Sequence, residues 1–295
     1  MSKRKAGKTG KTGKTGKTGR AVLKIVSIAE EPLEQIPYVS AAAGGQGISY
    51  EWLPVYWGEI LGLPQDVDAL ILASDLQGMT IHSTTGEYGD SLLGEVLPES
   101  LEVLLQIHMP AVDPEKVLVC LCGDLYGDPA KRGSSGDPLP VWKAFRNKFG
   151  TVLGVNGNHD LLSREGQAEL ASHTGIHLFS EPDIIRQKGL HIAGLGGVTG
   201  RGDKPNRKPE GEYLEALRNL LHRGPDVLLL HQGPEVPEAR LPGHSGIREQ
   251  LEAGPELLLF CGHVHWDQPL AELENGTRIL NTDGRVLLFT AASLQ

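Results

Sequence analysis

Long apolar runs are missing from this 295-residue sequence. None approaches the roughly 20 apolar residues needed to span a bilayer, and the amino-terminal region lacks the apolar core of a secretory leader. The expected location is therefore the cytoplasm, with no membrane partner. Cysteine is scarce. Cys120, Cys122 and Cys261 are odd in number, fit no disulfide framework and sit inside or at the ends of apolar runs. They read as buried thiols in a reducing compartment; a Cys120–Cys122 metal site would need a second pair that the chain lacks. Aromatic residues make up 5% of the chain while glycine occurs 38 times, a balance that points to many tight turns. Acidic residues are absent from positions 1–20, which carry eight Lys and Arg. The rest of the chain carries 20 Lys and Arg against 37 Asp and Glu, a net charge of −17 with His neutral. A body this acidic is a poor surface for duplex nucleic acid and a good one for cations.

Residues 6–19 repeat Gly-Lys-Thr with a three-residue period. A phosphate-binding loop needs the spacing G-x-x-x-x-G after a strand. Here each glycine lies a multiple of three from the next and no strand precedes, so residues 1–20 are expected to be a disordered basic tail. Such a tail suits nucleic acid, a protein partner or nothing specific. Residues 21–65 are expected to form an extension packing on the core, with a strand at Ala21–Ala29 and an irregular stretch to about Gln65. Its Tyr38, Tyr50, Trp52, Tyr56 and Trp57 are read first as a cover for a core edge and second as a binding lip.

Residues 66–295 form the expected main domain. Short runs rich in Val, Ile and Leu recur at Asp68–Ser74, Lys116–Cys122, Thr151–Val155, Leu190–Leu195, Asp226–Leu230 and Glu256–Cys261; they read as buried strands. Helical patterns lie at Pro98–Ile107, Leu139–Phe149, Arg164–Ser172, Glu210–Arg223 and Ile247–Ala253. Strand alternating with helix means α/β architecture. Arg278–Asn281 and Val286–Thr290, around Asp283-Gly284, are expected to form a hairpin.

The chemistry sits directly after the strands. The apolar runs end in Asp75-Leu76-Gln77, in Gly123-Asp124, in Gly157-Asn158-His159-Asp160, in His231 and in Gly262-His263-Val264-His265. Ligand sites in open α/β sheets lie at the carboxyl ends of strands, so residues far apart in sequence can converge there. Carboxylate, amide oxygen and imidazole donors suit Mn, Fe or Zn, and the missing thiolates argue against a sulfur site. His263 and His265, two apart in a loop, can address different metals, and Asp124 can bridge them.

Taken in order, these motifs resemble the calcineurin-like metallophosphoesterase superfamily over residues about 66–285. The resemblance implies a four-layer α/β/β/α sandwich of two mixed sheets flanked by helices. It implies two divalent metal ions, the first on Asp75, Gln77, Asp124 and His265, the second on Asp124, Asn158, His231 and His263. His159 would contact the phosphate and protonate the leaving oxygen, with Asp160 orienting it. The implied reaction is hydrolysis of a phosphate ester by a hydroxide bridging the metals. Two departures matter. Gln77 stands where the family usually has His, which loosens the first site and favours Mn. The branch with this Gln resembles manganese-dependent ADP-ribose and CDP-alcohol diphosphatases, giving weight to a nucleotide-like diester or diphosphate. Asp128 comes one position late for the usual second Asp and receives no family role.

Two other readings stay open: a binding or scaffold protein that keeps the fold without catalysis, and a nuclease, which the acidic body disfavours. His244 and Arg248 are weaker candidates for substrate contact, with helix capping by Ser245 as the alternative explanation of that segment. The loops Gly78–Leu97 and Gly127–Pro138 are expected to shape specificity. Arg201-Gly202-Asp203 reads as a turn, and the composition leaves oligomeric state open.

Overall fold

The structure is a computed structural model that describes residues 23–44, 47–81 and 88–292. The basic repeat and the residues His82, Ser83, Thr84 and Thr85 lie outside them. In chain order the first half contains β1 (Lys24–Ile28), β2 (Glu34–Ala41), β3 (Ile48–Leu61), β4 (Ala69–Ala73), β5 (Met79–Ile81), β6 (Tyr88–Leu92), α1 (Leu93–His108), β7 (Val117–Leu121), α2 (Leu139–Lys148), β8 (Thr151–Gly154), α3 (Arg164–Ser172) and β9 (Ile176–Leu178). The second half contains β10 (Asp183–Gln187), β11 (Leu190–Leu195), the short β12 (Val198–Thr199) and β13 (Arg207–Lys208), α4 (Glu210–His222), β14 (Val227–Gln232), α5 (Ser245–Glu252), β15 (Leu258–Gly262), β16 (Leu270–Glu272), β17 (Arg278–Asn281) and β18 (Val286–Ala291). Among the described residues, no helix is long and apolar enough to cross a membrane.

Two mixed sheets carry the molecule. The first runs β6-β5-β2-β3-β18-β4-β7-β8-β9, with β1 added to β3; the second runs β10-β11-β14-β15-β17-β16. Strands β4, β7, β8 and β9 are mutually parallel, as are β11, β14, β15 and β17. Strand periodicity sorts the side chains into layers. In β4, Ala69, Ile71 and Ala73 face α1 and α2 with Leu97, Trp142 and Phe145. Leu70 and Leu72 face the second sheet and meet the layer of Ile192, Leu229 and Phe260. The opposite face of the second sheet, with Leu228, Leu230 and Leu259, packs on Tyr213 and Leu217 of α4 and Ile247 and Leu251 of α5. Helices, sheet, sheet and helices therefore stack as the resemblance implies. All three cysteines are buried free thiols.

Four local expectations need correction. The stretch before Gln65 is not irregular, since β2 and the long β3 pair along eight residues and β3 lies inside the sheet. Pro37 and Pro54 hide it, because proline normally speaks against an interior strand. The carboxyl-terminal pair is not a hairpin. β17 belongs to the second sheet, and β18 crosses to the first to lie between β3 and β4. Both faces of Val286–Phe289 are apolar and buried, so this strand needs a neighbour on each side and a core on each face. Helix α1 starts at Leu93 and runs through Pro98, its first turn anchored by Glu95 Oε1 accepting from Leu92 N at 2.8 Å. His244, not Ser245, caps α5, with Nδ1 accepting from Ile247 N at 3.3 Å.

Candidate functional site

Three of the strands that bear motifs, β4, β7 and β15, end in a sharp backbone turn. Asp75, Asp124 and His263 adopt left-handed φ values of 53°, 54° and 72°, a region that Asp and His enter more readily than most residues. The reversal throws each side chain back across the strand ends. Asp75 N donates to Gly123 O at 2.9 Å within the first sheet, and the two sheets meet where His263 N donates to Asp75 Oδ2 at 2.9 Å and Thr282 Oγ1 bonds Ser74 Oγ at 3.0 Å. Glycine is required where the strands touch. A Cβ on Gly157 would lie 2.1 Å from Asp124 Oδ1, and one on Gly262 would lie 2.2 Å from Asp75 Oδ2.

Asp124, His231 and His263 present ligand atoms within 4.8 Å of one another. His231 is fully buried, and its Nδ1 lies 2.7 Å from the Cys122 carbonyl. With a metal bound, that acceptor would keep the proton on Nδ1 and turn the Nε2 lone pair to the ion, as carbonyls placed behind ligating histidines do. Nε2 lies 3.3 Å from Asp124 Oδ2 yet makes no hydrogen bond, an arrangement suited to two groups that share a cation. Asn158 Oδ1 is likewise buried and unpartnered among the described residues. A divalent metal would satisfy both orphaned atoms.

The remaining candidates surround this group. Gln77 Nε2 lies 3.4 Å from Asp124 Oδ2; a half-turn of the amide presents Oε1 to the same place. Asp124 Oδ1 accepts from His159 N at 2.8 Å. His265 is exposed and stands outside the tight group, its Nδ1 3.5 Å from where a Cβ on Gly284 would lie. Asp160 does not meet the His159 ring. Its buried carboxylate accepts from the backbone N–H groups of Asp124, Leu125 and Gly157, each at 2.8 Å, so it fastens the second motif to the third. The His159 ring instead faces Ser135 Oγ, 3.1 Å from Nδ1. His244 faces Glu210 at 3.7 Å, and Arg248 pairs with Glu252 at 3.2 Å and Glu235 at 3.5 Å.

The charges conflict. Burial pushes the Asp75 carboxyl up to about 8, with Asp283 and Asp124 adding to the rise and the His231 charge opposing it. Burial works against charge on His231, but Asp124 and Asp75 prevail and hold its pKa at about 10. Burial, then the His231 charge, pushes His263 down to about 4, with Arg207 contributing. Neighbouring cations relieve such conflicts for carboxylates, and ligation does so for neutral imidazoles.

The strand-end motifs leave out two participants. Asp283 reads in the sequence as part of a hairpin turn; its carboxyl is raised chiefly by burial, with the His265 charge opposing the rise. Ser135 lies in the Gly127–Pro138 loop, whose sequence marks it as a specificity loop but does not single out this hydroxyl. That loop, with Lys131 and Arg132, and strands β2 and β3, with Tyr38 and Glu51, line a cavity of about 300 Å³ that opens onto Asp75, Gln77 and Asp283. Arg132 donates to the Ala43 carbonyl and ties the loop to the β2–β3 connection.

No family model matches the chain, and a sequence search among curated proteins finds no match. Solved structures do share its shape. TT1561 of Thermus thermophilus superposes with a TM-score of 0.52 at 16% identity, covering 73% of this chain and 88% of that one. The phosphopantetheinyl hydrolase PptH of Mycobacterium tuberculosis gives 0.44 at 14% identity, covering 74% and 90%. The NAD nucleotidase NadN of Haemophilus influenzae gives 0.40 at 15% identity, covering 73% of this chain and 44% of that one. The first likeness supports the fold; the other two are weaker.

Proposed function

We propose that this chain is a phosphoesterase working with two divalent metal ions, manganese foremost, on a small phosphorylated or nucleotide-like diester or diphosphate. The observation that carries the reading is the convergence of Asp124, His231 and His263 within 4.8 Å, with His231 Nε2 and Asn158 Oδ1 buried and unpartnered among the described residues. Asp75, Gln77, Asp124 and His265 would hold one ion, and Asp124, Asn158, His231 and His263 the other. Bound there, the ions supply Lewis acidity to phosphoryl oxygens and lower the pKa of a water towards neutrality.

The chain's own groups do the rest. Acting as the acid, the imidazolium of His159 would donate from Nδ1 to Ser135 Oγ, 3.1 Å away, which leaves the Nε2 proton for the leaving oxygen. General acid catalysis of this kind contributes about 10²- to 10⁴-fold. Asp160 serves by fixing the backbone of Asp124 and Gly157. Gln77 offers an amide oxygen, a harder and weaker donor than imidazole, which favours Mn over Zn. The cavity beside Asp75 and Gln77 falls in the size class of small-molecule sites, roughly 300–1,000 Å³, and supports a small substrate over a nucleic acid duplex.

The test is to purify the protein with Mn and measure metal content beside hydrolysis of p-nitrophenyl phosphate, bis-p-nitrophenyl phosphate and ADP-ribose. Near two metals per chain with turnover supports the reading, and the preferred probe names the substrate class. Absence of both metal and turnover overturns it in favour of a binding protein.

A further inference from the structure

The segment between β11 and α4 concentrates positive charge in an acidic body, with Arg201, Lys204, Arg207 and Lys208 inside eight residues. Asp203 occupies Arg201 through contacts of 2.6 and 3.0 Å. Lys208 has exposed Glu181 at 3.8 Å. Among the described residues, Lys204 and Arg207 form no ion pair. The backbone beneath them is fixed against the third motif. Gly197 N donates to Asn156 O at 2.7 Å, and Asn206 Nδ2 donates to the carbonyls of Gly157 and Asp160.

A polar cavity of about 510 Å³ lies between this segment, Gln167 of α3 and the link from β9 to β10; Lys204, Arg207 and Lys208 line it. Asn156, 9% exposed, also lines it, and its Oδ1 finds no donor among the described residues. The cavity borders the third motif through Asn156, two residues before Asn158. Glu181 also lines the cavity and partly occupies Lys208, which leaves Lys204 and Arg207 as the cations that select an oxyanion. A guanidinium offers phosphate a two-point fork and lysines supply point charges. A hydroxyl on the occupant would satisfy Asn156.

We propose that this cavity is a second anion-binding site, separate from the metal centre, that takes a phosphate group, either free or as the far phosphate of the substrate. The site itself does not depend on the proposed function; its link to turnover rests on that reading.

The full chain, stripped of metal by chelation and freed of chelator, is titrated calorimetrically with inorganic phosphate. One saturable site is expected, weakened at least tenfold in Arg207→Ala and in Lys204→Glu and retained in Asp124→Asn. Lys204 is exposed, so its replacement leaves the fold intact. No saturable binding, equal binding by both variants, or loss of binding in Asp124→Asn overturns the proposal. Manganese-loaded enzyme then distinguishes the sources. A KM increase in Arg207→Ala at least tenfold larger for ADP-ribose than for p-nitrophenyl phosphate assigns the site to the substrate's far phosphate, and equal responses assign it to free phosphate. Absence of both metal uptake and turnover in the wild type sinks the phosphoesterase reading while the calorimetric result still decides the anion site.

Discussion

Replacing Gly157 by alanine sets a methyl carbon against Asp124. Its Cβ would lie 2.1 Å from Oδ1, 2.3 Å from the backbone N and 2.6 Å from Cγ. Comfortable contacts of carbon are about 3.5–4.0 Å, so the second and third motifs must separate by about 1 Å. A side chain can swing aside but a backbone nitrogen cannot, so the end of β7 moves as well. Overpacking of this kind costs about 1–3 kcal/mol, a fall of a few degrees in Tm. The effect on the site is larger, because functional constellations tolerate displacements of about 0.5 Å. A 1 Å shift takes Asp124 out of register with His231 and His263. Metal affinity should fall by at least the roughly 10–100-fold that accompanies loss of a contact supporting a metal ligand. Gly211→Ala is the control. Its Cβ meets nothing within 4 Å in the first turn of α4, and alanine there stabilises by about 0.5–1 kcal/mol. Both variants are dialysed against graded Mn, assayed for bound metal and melted. Wild-type metal uptake by Gly157→Ala would refute the claim that this contact sets the site.

The other predictions concern single groups. His159→Ala should retain both metals while turnover drops by about 10²- to 10⁴-fold; unchanged turnover at full metal content removes His159 from the mechanism. Asp160→Asn keeps one acceptor oxygen but turns an amide N–H₂ toward a backbone donor, costing about 1–3 kcal/mol. A urea midpoint equal to wild type would contradict its role as fastener of two motifs. Metal uptake should strengthen as pH rises towards 8, because the buried Asp75 carboxyl, raised to about 8, holds a proton below that pH and must release it to bind metal. Calorimetry in buffers of different ionisation heat reads the protons released, which include that of His231, held at about 10; Asp75→Asn should release fewer, and unchanged release counts against Asp75 as a ligand. His177 lies below its ordinary value, mainly through burial, and its ring packs edge-on to Phe179 at 4.5 Å. The folded protein then binds fewer protons than the unfolded chain, so this stability is full above pH 6.5 and declines as pH falls. His177→Gln should lose stability less steeply between about pH 7.5 and pH 5; an identical slope refutes the assignment.

The sequence is most legible where both faces of an element are buried. The run at Asp68–Ser74 reads as a strand because every residue of Ala69–Ala73 is buried, leaving no polar position to confuse it. The helices Arg164–Ser172 and Glu210–Arg223 are legible from one apolar stripe, Leu170 in the first and Tyr213, Leu217 and Leu220 in the second. Strands β2 and β3 are not, because they alternate buried and exposed positions while carrying prolines and exposed Trp52. Local propensity cannot reveal that β3, which starts soon after β2 ends, also pairs with the distant β18, where Val286 lies opposite Val55. At the site, the residue types announce ligands because Asp75, Asp124, Asn158, His231 and His263 each come at or just after the end of a buried apolar run. Asp283 is hidden because Asp-Gly is also the commonest signal of a tight turn. Ser135 is hidden because a hydroxyl in a polar loop has no local signature, and its partner is 24 residues distant.

The contrast between legible ligands and hidden loop residues has a physical basis in how the ligands are aimed. Three of the six non-glycine residues with left-handed φ among the described residues are Asp75, Asp124 and His263. Each such conformation costs about 1–2 kcal/mol, and the protein concentrates that cost at the junctions of strand and loop. The contacts that hold the junctions are short and local: Asp75 N on Gly123 O, His263 N on Asp75 Oδ2, and Asp124 N on Asp160 Oδ2. Aim is thus set by a few residues directly after each strand, whatever the length of the loop beyond. The loops are free to change, and they carry Lys131, Arg132, Lys204 and Arg207 at the cavity walls. The candidate ligand group is therefore readable from sequence order, whereas the cavities beside it emerge only when the loops are placed in space.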